Sequence, residues 1–218
     1  MKFSKLALSA CAVAVASLAL TACQKPADKP ADKPAATAEA AKPADGKEII
    51  IGLITKTETN PFFIKMKEGA EEEAKKQGVK LLTAAGKADG DNAGQVTALE
   101  NMVAAGAKTI LITPRDSKAI IPSIQKAQAA GVMVIALDSP TDPTEGTDAL
   151  FATNNYKAGE WIGQYAKAAM AGKPVKIATL DLFPGHPVGA QRHNGFLSGF
   201  GLKAFDAKSN ELSKTAEV

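Results

Sequence analysis

From residue 49 onward, short apolar runs alternate with amphipathic helical patterns, and that alternation constrains the fold more than any other feature of the chain. Residues 49–54 read Ile-Ile-Ile-Gly-Leu-Ile, a run without a polar phase, as expected of a strand buried on both faces. Asn60-Pro61 then opens a helix: the Asn side chain can cap it, and Pro fits its first turn. Phe63, Met66, Ala70 and Ala74 fall on one stripe of this helix. Glu71 and Glu72 precede Lys75 and Lys76 by four residues on the solvated face, and Gly78 ends the helix. Strands are expected at 79–83, 108–113, 132–137 and 148–153. Between them lie helices at 92–105, with Val96, Leu99 and Val103 inward, and at 117–130, with Ile120, Ile121 and Ile124 inward. A helix at 156–171, a strand at 175–181 and a helix at 186–202 follow, and the chain turns polar beyond Leu202.

Strands and helices joined by short turns predict an α/β fold: a doubly wound parallel sheet with helices on both faces. A closed (β/α) barrel would need more units. The loop after Asp138, rich in Pro, Thr and Asp, also breaks the rhythm a barrel requires.

The residues before this region set the compartment. Lys2 and Lys5 precede a charge-free run of small and apolar residues at 6–20, which is short for a bilayer span and has the length of a signal-peptide core. The run closes on Leu20-Thr21-Ala22-Cys23, which resembles a bacterial lipobox. Residues 1–23 are therefore expected to be a lipoprotein signal peptide with lipidation at Cys23, an ordinary signal peptide being the alternative. Residues 24–47 repeat Lys-Pro-Ala-Asp and carry no large apolar side chain, as expected of a flexible tether rich in Pro, Ala and Lys. Cys11 lies in the removed segment, so the mature domain has no Cys for a disulfide, a thiolate metal site or a nucleophile. The expected location is the periplasm or cell envelope, with membrane contact through the lipid anchor only. A formal charge of +3 without a basic stripe argues against a nucleic-acid partner.

In an open α/β sheet, ligands bind beyond the carboxyl ends of the strands. Lys56, Asn60, Phe62 and Phe63 follow the first strand, and Thr113, Arg115 and Asp116 follow the third. Asp138 and Ser139 follow the fourth, and Thr153, Asn154 and Asn155 the fifth. Asp181, Phe183 and His186 follow the expected strand at 175–181, with Arg192 on the next helix. Aromatic rings among planar polar groups suit a sugar. Its C–H faces lie against rings, and its hydroxyls both donate and accept, so they pair with Asp, Asn and Arg. A site built around hydroxyls also rejects ligands lacking them, because its buried partners would go unpaired.

Four blocks then match a known family in order and spacing. Thr59-Asn60-Pro61-Phe62-Phe63, with Lys67-Glu68-Gly69-Ala70, resembles the first strand and helix of periplasmic sugar-binding proteins of the ribose-binding type. Ile112-Thr113-Pro114-Arg115-Asp116-Ser117 resembles the end of their third strand, and Val134-Ile135-Ala136-Leu137-Asp138 their fourth. Gly189-Ala190-Gln191-Arg192-His193-Asn194-Gly195-Phe196 resembles the helix carrying their binding arginine. The resemblance implies a two-lobed fold: an N-terminal sugar-binding lobe over residues 48–154 and a partial C-terminal lobe over 155–218. It implies that Asn60 bonds a hydroxyl, that Phe62 and Phe63 pack on the sugar, and that Asp138 and Arg192 each engage two hydroxyls from opposite lobes. Thr113 and Thr153 would add weaker contacts, and Lys56 would reach the ligand. Ser139-Pro140 replaces the Arg that often follows the fourth-strand Asp in ribose-type binders. With the loop at 141–147 and Leu182-Phe183-Pro184-Gly185-His186-Pro187, this resembles the branch that binds fructose.

The implied function is the substrate-binding component of a bacterial ABC sugar importer, with a monosaccharide ligand and an inner-membrane permease as partners. A periplasmic sensor for a chemoreceptor and a sugar-acting hydrolase are the alternatives. No Gly-x-Ser-x-Gly elbow, P-loop or Gly-x-Gly-x-x-Gly is present, and neither a metal nor a cofactor is expected. His193 is expected on the surface and Trp161 within its helix packing. Only one strand–helix unit follows the first crossover helix, so the second lobe is expected to be incomplete and the chain a fragment. Its own sugar affinity should then be weaker than micromolar.

Overall fold

The computed structural model describes residues 48–183 and 185–213. The signal segment, Cys23 and the tether at 24–47 lie outside the described residues.

Strand β1 (Ile50–Thr55) pairs in parallel with β2 (Lys80–Ala85) on one side and β3 (Thr109–Ile112) on the other. Beyond β3 lie β4 (Met133–Leu137) and β5 (Ala149–Phe151), also parallel. The sheet order is β2-β1-β3-β4-β5. Strand order reverses between β1 and β3, which opens a crevice beyond their carboxyl ends.

Helix α1 (Pro61–Gln77) starts where Asn60 Oδ1 accepts from the Phe62 amide and stops at Gly78, whose φ of 67° is left-handed. Helix α2 (Asn92–Ala104) is capped by Asp91. Before α3 (Ile121–Ala129), Asp116 accepts from the amides of Lys118 and Ala119, so the regular helix begins four residues later than expected at 117. Leu53, Ile54, Ile110, Ile112, Val134, Leu99, Ile120 and Ile124 are buried around the sheet. Each such side chain stabilises the fold by about 1.5–3 kcal/mol. A Cβ on Gly52 would collide with Met102 Sδ, so α2 lies directly on β1. That close seat rotates α2 relative to the expected stripe. Gln95, Ala98, Leu99 and Met102 are buried, while Val96 and Val103 are only partly so.

The rest of the described chain is built differently. Helices α4 (Asn155–Met170) and α5 (Pro187–Phe200) meet backbone to backbone. Cβ atoms added at Gly159 and Gly163 would strike the carbonyls of Arg192 and Phe196. Those at Gly195 and Gly199 would strike the carbonyls of Tyr156 and Glu160. The two Gly-x-x-x-Gly spacings therefore interlock, as small residues permit wherever helix backbones approach closely.

The strand expected at 175–181 does not form: no regular secondary structure lies between residues 173 and 183. Among the described residues it has no neighbouring strand with which to exchange hydrogen bonds, and Val175, Ile177, Leu180 and Leu182 are exposed. Trp161 is exposed as well, together with Ile162 and Tyr165 on the same helix.

Candidate functional site

Lys56 extends from the end of β1 into the crevice and is only 1% exposed. Its ammonium lies 2.7 Å from Ser139 Oγ, 3.1 Å from His186 Nε2 and 3.4 Å from Asp138 Oδ2. Ser139 in turn donates to Asp138 Oδ2 at 3.0 Å. Asp138 directly follows β4 with φ +63°, in the left-handed region, where a residue with a Cβ is strained by on the order of 1 kcal/mol. Strain of this kind persists where the surrounding structure holds it, and here β4, Ser139 and Lys56 do so. Burial pushes the Lys56 ammonium below its ordinary pKa, against the opposing pull of Asp138. His186 is pushed down to about 4, by burial first and by the Lys56 charge second. It is therefore neutral near pH 7.

The aromatic wall comes from α1. Phe63 is buried, with its ring centroid 5.9 Å from Lys56 Nζ. Phe62 is 55% exposed and meets Phe63 edge-on at 5.3 Å. Asn60 is exposed beside them; its Oδ1 caps α1, and its Nδ2 makes no hydrogen bond among the described residues. A cavity of about 420 Å³ lies on the other part of this wall, lined by Thr55, Thr57, Phe63, Ile64 and Lys67 among others.

The remaining expected residues fall elsewhere. Thr113 is fully buried, its hydroxyl 3.4 Å from the Ile54 carbonyl, and so ties β3 to β1. Arg192 on α5 is exposed, and its Nε donates to Asn155 Oδ1 at 2.9 Å. Thr153 is exposed, its carbonyl accepts from Asn155 Nδ2, and it lines a cavity of about 320 Å³ with Pro140, Asn154, Asn155, Tyr156 and Gln191. The structure thus brings Lys56, Asp138, Phe62 and Phe63 together, with Asn60 at their edge. It gathers Thr153 and Arg192 around Asn155 as a second group.

Gln95 was not singled out by residue type. Gln95 is fully buried. It donates to the carbonyls of Thr55 and Thr113 and accepts from the Arg115 amide at 2.9 Å, which ties together the ends of β1 and β3. A polar residue one helical turn before Leu99, within an apolar stripe, was the available signal. Arg115 stacks over Phe183 at 4.5 Å, and Phe183 meets His186 edge-on at 5.3 Å. His193 is not on the surface. It is buried between Asp181 Oδ1, at 2.9 Å, and the Ser213 carbonyl, at 3.2 Å. Asn194 bonds the same terminal segment through Ser213 and Glu211. That stretch has no periodicity and gives no sequence signal of its own.

A parallel sheet with a switch-point crevice, an aromatic wall and a half-tied carboxylate defines an α/β binding fold. Residues 51–215 match the family described as periplasmic binding protein domain, and the chain belongs to that family. The ribose import binding protein RbsB of Bacillus subtilis is 36% identical over 159 residues, covering 72% of this chain and 51% of that protein. A solved ABC transporter solute-binding protein of Actinobacillus succinogenes with bound D-allose matches with TM-score 0.62 and 34% identity, over 70% of this chain and 55% of that one. A carbohydrate-transporter solute-binding protein of Agrobacterium radiobacter in complex with D-arabinose matches with TM-score 0.64 and 30% identity, over 72% of this chain and 56% of that one. This chain spans about half the length of these relatives.

Proposed function

We propose that this chain captures a monosaccharide in the crevice beyond β1 and β4, as part of the substrate-binding component of a bacterial ABC sugar importer. The carrying observation is Asp138. One of its carboxylate oxygens is tied by Lys56 and Ser139, while the side chain keeps 23% of its surface open to the crevice. A carboxylate held in this way accepts from hydroxyls without first having to be ordered. Asn60 Nδ2 offers a donor nearby, and Phe62 offers a ring face for C–H groups. Arg192 would approach from α5 once the segments on either side of 154–157 close about that crossover. The relatives' names support a neutral sugar: ribose, D-allose and D-arabinose each appear among them. Ser139-Pro140 and the 182–187 segment favour a ketose of the fructose type over ribose. The role belongs to the cell envelope, with Cys23 as the lipid anchor and a membrane permease receiving the sugar.

The test is thermal denaturation of the chain with fructose, ribose, allose or arabinose at tens of millimolar, since a ligand that binds only the folded state raises its melting temperature. One of these sugars should stabilise the chain, and Asp138→Ala and Arg192→Ala should each abolish the shift. An equal shift in both variants would remove the assignment of the site.

A further inference from the structure

An ammonium has three N–H donors and no acceptor. In Lys56 all three point at protein: Ser139 Oγ, His186 Nε2 and Asp138 Oδ2. Nothing remains for a ligand. The direction of each bond then fixes its neighbours. Ser139 Oγ accepts from Lys56, so its own proton goes to Asp138 Oδ2. Oδ2 receives both bonds, and Oδ1 receives none among the described residues. Because the lysine can only donate, His186 Nε2 must present its lone pair, and the neutral ring carries its proton on Nδ1. Nδ1 is buried, in a residue only 9% exposed, and has no partner among the described residues. Phe183 against the ring edge, itself stacked on Arg115, fixes the ring plane.

We propose that Lys56 is a positioning residue for sugar capture: it holds His186 as the Nδ1–H tautomer and ties Asp138 through Oδ2, so that a ligand meets the untied Oδ1 and never the ammonium. The proposal rests on the sugar-binding reading for its role, but its geometry stands without a ligand. A carboxylate oxygen left untied in this way can accept from a sugar hydroxyl. Because Asp138 faces the Lys56 charge, the site carries no uncompensated cation at this point and favours a neutral polyol over a sugar acid or phosphate. The charged groups around His186 are Lys56 from β1, Asp138 from β4, Asp89 from the β2–α2 loop, and Arg115 with Asp116 beyond β3.

Long-range ¹H–¹⁵N NMR of the imidazoles in the sugar-free chain at pH 7 tests this directly. His186 should show the Nδ1–H tautomer. In Lys56→Met it should become a mixture, with its pKa rising from about 4 toward the ordinary value. An Nε2–H tautomer in the native chain, or an unchanged ring in Lys56→Met, would overturn the proposal. The native spectrum decides even if that variant fails to fold. In sugar titrations, Lys56→Met should lose about tenfold or more in affinity, the worth of roughly one hydrogen bond to a held group. Unchanged affinity in Lys56→Met would also count against the proposal. If no sugar binds the native chain at all, the proposed function falls, and the tautomer still judges Lys56.

Discussion

The sheet region and the α4–α5 pair use apolar residues in opposite ways. In the first, β-branched side chains point into a shared core: Ile54, Ile110, Ile112 and Val134 are fully buried. In the second, glycines make the contact and large apolar side chains face outward, Trp161 at 63% and Tyr165 at 73% exposure. The same alternation of strand and helix patterns runs through both. It produces ladders only where a neighbouring strand is present to take up the backbone hydrogen bonds. Residues 109–112 and 175–181 both carry β-branched residues, yet among the described residues only the first has partners on both sides.

Substitutions probe this contrast. The largest effect is expected in the sheet: Ile110→Ala should lower the stability of that region by about 2–5 kcal/mol in urea unfolding, through lost burial and a residual cavity. Gly163→Val should cost about 1–3 kcal/mol through overpacking, with amide exchange rising in α4 and α5 while the sheet stays protected. Equal exchange in both regions would mean that the two do not unfold independently. His186 links them, and its contribution depends on pH. Its folded pKa lies below the ordinary 6.5, so the unfolded chain binds the proton first as pH falls. Stability from this group is complete above pH 6.5, declines between pH 6.5 and about 4, and is level below. The loss should be on the order of 2 kcal/mol and should vanish in His186→Asn. The smallest effect belongs to the outward face: Leu180→Ser should change stability by less than about 0.5 kcal/mol, because that side chain does not leave water on folding.

Strands β1, β3 and β4 were legible because each is a nearly continuous apolar run. Asp138 and Lys56 were legible because they follow such runs at the end where ligands bind. The strand at 175–181 was misjudged because its own residues do not reveal whether a partner lies alongside. Gln95 was missed because the close seat of α2 on Gly52 turned the helix by about one residue. His193 was placed on the surface because its burial depends on the aperiodic segment at 205–213. The reciprocal glycines of α4 and α5 acquire meaning only when the helices are paired.

If the crevice beyond β1 and β4 receives a sugar, amide ¹H–¹⁵N spectra of the chain titrated with fructose will report it. Saturable shifts should cluster at Asn60, Phe62, Asp138, Ser139 and His186. A titration that moves none of these, or that moves only Thr153, Asn154 and Tyr156 around the other cavity, would contradict it.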